Sequence, residues 1–171
     1  MAAVRQGLFA WYEGGAGAAA GRSQLAYAAL ISGVCLAQAG LGSVHGLASP
    51  LGAFFPIPHG VVCGTLVAAA SQVNLQALQE RDPASPALDK YARAGEILTG
   101  RRYGRPDEAR AALVSTLAGW TERLALPSLG AYGIRTEDFS KIVANCRGGS
   151  MTTNPIVLTD EEVTAILQQR L

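Results

Sequence analysis

Residues 40 to 60 of the chain read GLGSVHGLASPLGAFFPIPHG. Two glycines, Gly40 and Gly42, interrupt the apolar run that precedes this stretch. Near its end, the prolines of Pro56-Ile57-Pro58 force an extended connection, because a residue before proline avoids the helical conformation. Residues 44–54 between these breaks are long enough for one short helix, which is kinked at Pro50 or begins near it. The stretch therefore predicts a short helix between two longer ones.

The segments on either side of this stretch are helical by composition and pattern. Residues 22–39 are rich in alanine, a strong helix former whose small side chain allows close packing. Residues 60–79 repeat apolar side chains at the spacing of one helix face. These side chains are Val62, Leu66, Ala69 and Val73.

The rest of the chain carries recognisable helix start and stop signals. Ser85 and Pro86 begin a helix that Gly100 ends, and Thr159 with Glu162 forms a capping box for the last helix. Further helices are predicted at residues 2–12, 107–124 and 136–146, and no alternating strand pattern appears. We therefore expect an all-α fold, a bundle of about six to eight helices in a single domain over residues 1–171. Residues 14–21 are expected to form a Gly/Ala linker between helices.

Charge is distributed very unevenly along the chain. Residues 23–79 contain no Asp, Glu, Lys or Arg, although the protein has 27 such residues among 171 and a net charge of +1. The near-zero net charge provides no electrostatic footprint for nucleic acid. A membrane hairpin is an alternative for the uncharged segment, but its two halves are diluted by Gly, Ala, Ser, Gln and Asn, whereas a spanning helix needs ~20 predominantly apolar residues. We expect no membrane partner.

Few residues in the chain are suited to catalysis or metal binding. The two histidines, His45 and His59, both lie in the uncharged segment, and neutral imidazoles are ligands for Fe, Zn, Cu or Ni. Their spacing is not a local ligand spacing, so two hydrogen-bonded core histidines remain the alternative. The three cysteines form no disulfide framework and indicate reduced thiols in a cytoplasm. Cys35 and Cys63 lie in apolar runs and are interpreted as core thiols.

A glycine-rich run at residues 15–21 resembles a loosened dinucleotide-binding fingerprint. Such a fingerprint needs a strand before it, a helix after it and an acidic residue about 20 positions further on. Residues 8–12 are a candidate strand, but no second βαβ unit follows and the residues around Gln38 are not acidic. A helix–helix linker is the favoured interpretation, and the chain itself offers no nucleotide site.

The central stretch resembles the iron-dependent alcohol dehydrogenase family. The resemblance is carried by residues 32–46, which end in Val44-His45-Gly46, and by Pro58-His59-Gly60 fourteen residues later. It continues downstream through Leu126-Pro127, residues 131–134 and Asn154-Pro155, and so covers nearly the whole chain. It corresponds to the helical C-terminal domain of that family, whose overall fold resembles dehydroquinate synthase.

The resemblance implies a metal centre and a partner domain. It identifies His45 and His59 as ligands of a divalent metal, Fe²⁺ or Zn²⁺, which acts as a Lewis acid while hydride passes to or from NAD(P). The family binds the nucleotide in a preceding α/β domain that we do not find here, so NAD(P) is expected only through that missing domain. The family's upstream Asp ligand has no counterpart, since Glu13 is the only acid before His45, and Ser49 occupies a position where many members have histidine.

Three functional hypotheses follow from these observations. The first is the C-terminal metal-site domain of an iron-type alcohol dehydrogenase, with an incomplete ligand set and no activity as an isolated chain. The second is a non-enzymatic helical protein that keeps the fold and has lost catalysis, and the third is the membrane hairpin. Because the uncharged helices of residues 23–79 are expected to leave apolar surface uncovered, we also predict a homo-oligomer through this segment, and a separate nucleotide-binding half is a further possible partner.

Overall fold

The computed structural model describes all 171 residues, and it contains eight α-helices and no strand. The prediction of an all-α fold with six to eight helices is therefore confirmed. Short 3₁₀ turns at Leu129–Tyr132, Thr136–Asp138 and Gly149–Thr153 lie between the later helices. The helices are α1 (Ala2–Tyr12), α2 (Ala18–Ala39), α3 (Ser43–Phe54), α4 (His59–Arg81), α5 (Pro86–Thr99), α6 (Pro106–Arg123), α7 (Phe139–Asn145) and α8 (Asp160–Gln168).

Local capping interactions fix the start of α8 and the end of α5. In α8 the Thr159 hydroxyl accepts a hydrogen bond from the Glu162 backbone N–H at 3.2 Å, and the Glu162 carboxylate accepts one from the Thr159 N–H at 2.7 Å. Gly100 ends α5 with a φ of +72°, a conformation that favours glycine. The predicted linker was too long, because α2 begins at Ala18 and only residues 13–17 remain between α1 and α2.

The chain divides into two compact units, and the division falls between α2 and α3, within α5 and within α6. The first unit comprises residues 1–40 and 89–113. In it, α1 and α2 pack so closely that a Cβ atom on Gly7 would lie 2.7 Å from the Gly21 carbonyl oxygen. A Cβ on Gly21 would in turn lie 2.7 Å from the Trp11 backbone nitrogen. The helix pair therefore requires glycine at both positions.

Helix α2 leaves much of its apolar surface exposed to solvent. Tyr27 is 60% exposed, Leu30 67% and Val34 55%, although nothing in this helix beyond Arg22 carries a charge. The expected uncovered apolar surface is thus present on α2. The later part of the uncharged segment, in helices α3 and α4, is instead largely buried and belongs to the other unit.

The second unit comprises residues 41–88 and 114–171 and contains the large hydrophobic core. Helix α4 lies at its centre and buries twelve residues. Leu47 and Leu51 of α3, Phe139 and Ile142 of α7, and Ile166 of α8 belong to the same buried cluster. The burial of one leucine or isoleucine side chain is worth roughly 1.5–3 kcal/mol, so this core holds α3 and α4 in a fixed relation.

One helix, α4, is long and apolar enough by length and composition to cross a membrane. However, 61% of its apolar window is buried within the protein, and the core helix of a soluble protein passes the same test. Helices α2 and α3 meet this length and hydropathy criterion only when they are counted together as one bent span. The expected lack of a membrane partner stays a prediction.

Candidate metal centre

A buried polar network fixes the beginning of α3, two residues before His45. The Ser43 backbone N–H donates to Asn154 Oδ1 at 3.0 Å, and Asn74 Nδ2 of α4 donates to Ser43 Oγ at 3.1 Å. Asn154 Nδ2 donates to Asn74 Oδ1 at 2.7 Å, which closes the network. Because Ser43 and Asn74 are only 2% and 4% exposed, these bonds form away from competing water and hold the first turn of α3 against α4.

The Pro56-Ile57-Pro58 connection positions the second histidine. Pro58 has an extended conformation and caps α4, and its carbonyl oxygen accepts from the N–H groups of Val61 and Val62 at 2.9 and 3.1 Å. Helix α4 consequently begins at His59, one residue earlier than its apolar pattern predicts. His59 and Cys63, four residues apart, therefore lie on the same face of the first turn of α4.

The fold brings His45, His59 and Cys63 together around one point. The Nε2 atom of His45 lies 3.6 Å from Cys63 Sγ, and the Nε2 atom of His59 lies 3.5 Å from the same sulfur. The two imidazole rings have centroids 5.2 Å apart and planes tilted by 57°. One ligand atom from each of the three side chains lies within 4.8 Å of those of the other two.

Burial shifts the pKa of two members of the cluster, His45 and Cys63. Burial lowers the pKa of His45 below its ordinary value, and the neighbouring His59 lowers it further by charge repulsion. Burial raises the pKa of the Cys63 thiol. Because desolvation disfavours the charged forms, the His45 imidazole is neutral at pH 7 and keeps a lone pair for a ligand.

These donors fit a divalent transition metal. Imidazole nitrogen and cysteine sulfur are the usual ligands of Zn²⁺, and imidazole also suits Fe²⁺. No Asp or Glu belongs to the cluster, so the carboxylate that the resemblance leads one to expect is not supplied by these residues. Catalytic zinc sites commonly have three protein ligands and an open fourth position.

A cavity of about 310 Å³ adjoins the cluster at His45. Its lining includes Ser49 of α3, Asn145 at the end of α7 and the loop residues Gly148, Gly149 and Ser150. Ser49 occupies the position four residues after His45, where the resemblance leads one to expect histidine in many family members. His45 therefore contacts Cys63 and also lines this cavity.

The sequence identified two members of this cluster and missed the third. His45 and His59 do lie together, as expected for a pair of ligands. The interpretation of Cys35 as a core thiol was wrong, because Cys35 is exposed. Cys63 is half-buried and packs against the hydrophobic core, but its sulfur also lies beside both histidines. The signal that identifies Cys63 is its four-residue spacing from His59, which becomes informative once α4 is known to begin at His59.

The glycine-rich run is not a nucleotide-binding turn in this structure. Residues 8–12, the candidate strand, belong to helix α1, and residues from Ala18 onward belong to α2. The run joins two helices, as favoured by the sequence, and no strand ends beside it.

Comparison with known proteins places this chain in a family. The profile described as "Fe-containing alcohol dehydrogenase family, C-terminal" matches residues 1–171. The chain belongs to the iron-containing alcohol dehydrogenase family. It is 30% identical over 168 residues to "Alcohol dehydrogenase 4" of Saccharomyces cerevisiae, a match that covers 97% of this chain and 41% of the yeast protein. It is 29% identical over 150 residues to "1,3-propanediol dehydrogenase" of Klebsiella pneumoniae, which covers 86% of this chain and 37% of that protein.

A solved structure shows the same fold for this family domain. The "Crystal structure analysis of 1,3-propanediol oxidoreductase" superposes with a TM-score of 0.87 at 24% identity, covering 99% of this chain and 43% of that one. The chain thus spans about two fifths of the length of the curated relatives it matches. The assignment to the C-terminal domain of the family, made from the sequence motif, is confirmed.

Proposed function

We propose that this chain is the metal-binding domain of an NAD(P)-dependent alcohol oxidoreductase, with His45 and His59 as ligands of a divalent metal, Fe²⁺ or Zn²⁺. The observation that carries the proposal is the approach of both imidazole Nε2 atoms to one sulfur, at 3.6 and 3.5 Å, in a chain of this family. The names of the relatives, an alcohol dehydrogenase and a 1,3-propanediol dehydrogenase, support alcohols and aldehydes as the substrate class.

The residues of this chain have defined tasks in such a reaction. A bound divalent metal supplies Lewis acidity to an alcohol or carbonyl oxygen. His45 and His59 present ring nitrogens from two different helices, and the Ser43–Asn74–Asn154 network keeps α3 in place beneath His45. Ser49 cannot store a proton at neutral pH, so this chain lacks the proton relay that a histidine would supply at that position.

Hydride transfer requires a nicotinamide site that residues 1–171 do not provide in this proposal. We propose that a nucleotide-binding half supplies it and that the isolated chain does not turn over alcohols. The exposed apolar side chains of α2 are suited to contact with another polypeptide, either such a half or a second copy of this chain in a homo-oligomer. The three free cysteines support a reducing, cytoplasmic location.

A second candidate is a helical protein that keeps the fold without the chemistry. The lack of a carboxylate in the cluster favours it, because an incomplete set of ligands can leave the metal weakly held. In that case the two histidines form a hydrogen-bonded pair with Cys63 and bind no metal.

Calorimetric titration with Zn²⁺ and with Fe²⁺ under anaerobic conditions separates the two candidates. We expect one site per chain in the wild type and loss of that site in His45→Ala and in His59→Ala. Ser49→Ala, which alters a neighbouring side chain and leaves both imidazoles intact, is the matched control and should bind as the wild type does. Equal binding by the wild type and both histidine variants would contradict the ligand assignment, and no binding by the wild type would favour the second candidate.

The activity of the isolated chain tests the missing-half argument. We expect no NAD(P)H formation from short alcohols by the metal-loaded chain alone. Turnover by the purified chain that disappears in His45→Ala would refute the need for a further nucleotide-binding part.

A further inference from the structure

We propose that Cys63 is a third metal ligand, so that the centre is a His₂Cys site that prefers Zn²⁺ and similar borderline ions. The inference rests on the proposed metal site of His45 and His59 and specifies its chemistry. It differs from the sequence expectation, in which Cys63 was a core thiol and the third donor was an absent carboxylate.

The distances from the sulfur to the two imidazoles match a shared metal. A tetrahedral ion with a nitrogen ligand at about 2.05 Å and a sulfur ligand at about 2.3 Å holds those two ligand atoms about 3.6 Å apart. Cys63 Sγ lies 3.6 Å from His45 Nε2 and 3.5 Å from His59 Nε2. Both nitrogen–sulfur separations therefore have the value that a common tetrahedral centre requires.

Hydrogen bonding alone accounts less simply for this geometry. A thiol carries one proton and can donate it to only one imidazole at a time. The second imidazole would then have to present an Nε2–H to the sulfur, so the two rings would need opposite tautomers. A metal requires the same state of both rings, with Nε2 unprotonated, and explains why both nitrogens approach the sulfur at similar distances, 3.6 and 3.5 Å.

The backbone around Cys63 supports the role of a ligand. His59 and Cys63 lie four residues apart on the first turn of α4, and α4 is held by the large core of its unit. Cys63 is half-buried, and its sulfur lies within 3.6 Å of both imidazole Nε2 atoms. Of the other cysteines, Cys35 is exposed on α2 and Cys146 is buried with its thiol donating to the Val143 carbonyl oxygen.

The sulfur ligand determines which metals bind well. Thiolate is a soft donor that suits Zn²⁺ and Co²⁺, whereas Mg²⁺ and Mn²⁺ prefer oxygen ligands. We therefore expect the site to bind Zn²⁺ and Co²⁺ far more tightly than Mg²⁺ and Mn²⁺. Cys63→Ser replaces the sulfur with oxygen and should reduce this difference in affinity.

Titration with Co²⁺ tests the role of Cys63 directly, because cobalt bound to thiolate has an intense sulfur-to-metal charge-transfer absorption in the near ultraviolet. We expect this band in the wild type and in the matched control Cys35→Ser, and its loss in Cys63→Ser and Cys63→Ala. The Zn²⁺ affinity of both Cys63 variants should fall by at least about 10-fold, the lower range for loss of even an outer-sphere partner.

The outcomes separate this inference from the proposed function. A wild-type band that survives in Cys63→Ser, or Co²⁺ binding by the wild type with no charge-transfer band at all, overturns the role of Cys63. If Cys63 is excluded in this way but His45→Ala and His59→Ala lose Co²⁺ binding, the proposed site of His45 and His59 stands, and its third ligand is a group other than Cys63. If the wild type binds neither Co²⁺ nor Zn²⁺, both the role of Cys63 and the proposed metal site are overturned. The presence or absence of the charge-transfer band in the wild type and in Cys35→Ser is measured without any Cys63 variant. The proposal can therefore be overturned even if the Cys63 variants fail to fold.

Discussion

Two glycines in the same helix should respond with opposite signs to the same substitution. Gly46, directly after His45 in α3, has its Cβ position 2.8 Å from Met151 Cβ, 3.0 Å from Met151 Cε and 3.2 Å from the Cys146 carbonyl oxygen. Gly52 lies six residues later, and a Cβ there meets nothing within 4 Å. Gly46→Ala therefore inserts a methyl group into a filled space, whereas Gly52→Ala adds one at the surface.

The magnitude follows from two opposing contributions. Replacement of glycine by alanine inside a helix stabilises the folded state by roughly 0.5–1 kcal/mol at either position. At Gly46 this gain is opposed by overpacking, which typically costs about 1–3 kcal/mol. The Met151 methyl group can move, since Met side chains adapt readily, but its Cβ and the Cys146 carbonyl belong to the core or the backbone. We expect Gly46→Ala to be destabilised by about 0.5–2 kcal/mol relative to the wild type.

Urea unfolding followed by circular dichroism measures both variants under the same conditions. Since the helix propensity change is common to both, the difference between their free energies of unfolding isolates the steric cost at Gly46, about 1–3 kcal/mol. A displaced Gly46 also shifts His45, so Zn²⁺ affinity should fall in Gly46→Ala and stay unchanged in Gly52→Ala. Equal stabilisation of the two variants would refute the packing of Met151 and Cys146 against α3.

Three further changes test the network, a cap and an ion pair. Asn74→Ala removes the amide that joins the start of α3 to the Asn154 turn, and it should lower the free energy of unfolding by about 2 kcal/mol. The control is Asn145→Ala, which removes an exposed amide that bonds one turn back in α7. This control should change the free energy of unfolding by no more than about 0.5 kcal/mol. Thr159→Ala removes the α8 cap and should cost about 1 kcal/mol, read as a lower urea midpoint at constant slope. The pKa of Glu96 is held below its ordinary value chiefly by its hydrogen bond with Arg93, so Arg93→Ala should raise that pKa in an NMR titration.

The sign of the Glu96 effect on stability follows from the direction of its shift. Because the carboxyl has a lower pKa in the folded than in the unfolded state, its ion pairs contribute stability above the unfolded pKa. That contribution disappears as the pH falls through the folded pKa, and it should be smaller in Arg93→Ala. An unchanged Glu96 titration in Arg93→Ala would contradict the ion pair. Equal stability of Asn74→Ala and Asn145→Ala would contradict the buried network, and an unchanged midpoint in Thr159→Ala would contradict the cap.

Helices with strong end signals could be predicted from the sequence because the deciding interactions are local. The Thr159–Glu162 capping box and the Pro86 start and Gly100 end of α5 are formed by side chains and backbone within a few residues of each other. Such contacts depend little on the remainder of the protein. The predicted and observed helices therefore agree there to within one or two residues.

The start of α2 was mispredicted because a tertiary contact determines it. Glycines at residues 14–21 indicate a flexible linker by composition. Gly21 is nevertheless helical, and its missing side chain allows α1 to approach within contact of its backbone at Gly7 and Trp11. The close packing of two helices compensates for the low helix propensity of glycine, and a single sequence does not reveal that packing.

The candidate metal site could be predicted only in part for a similar reason. The family motif identifies His45 and His59, but spacing alone does not, because they lie on different helices. Cys63 lies 18 residues from His45, and only the packing of α3 against α4 brings the sulfur to both imidazoles. The uncharged segment likewise divides into an exposed helix and a buried pair, α3 and α4, which its uniform composition does not distinguish.

Anomalous X-ray diffraction from crystals soaked in Zn²⁺, recorded at the zinc absorption edge, tests the metal assignment most directly. We predict one strong peak within about 2.0–2.1 Å of both the His45 and the His59 Nε2 atoms. A zinc peak only at another place in the protein, or no peak between the two imidazoles, would contradict the assignment of His45 and His59 as metal ligands.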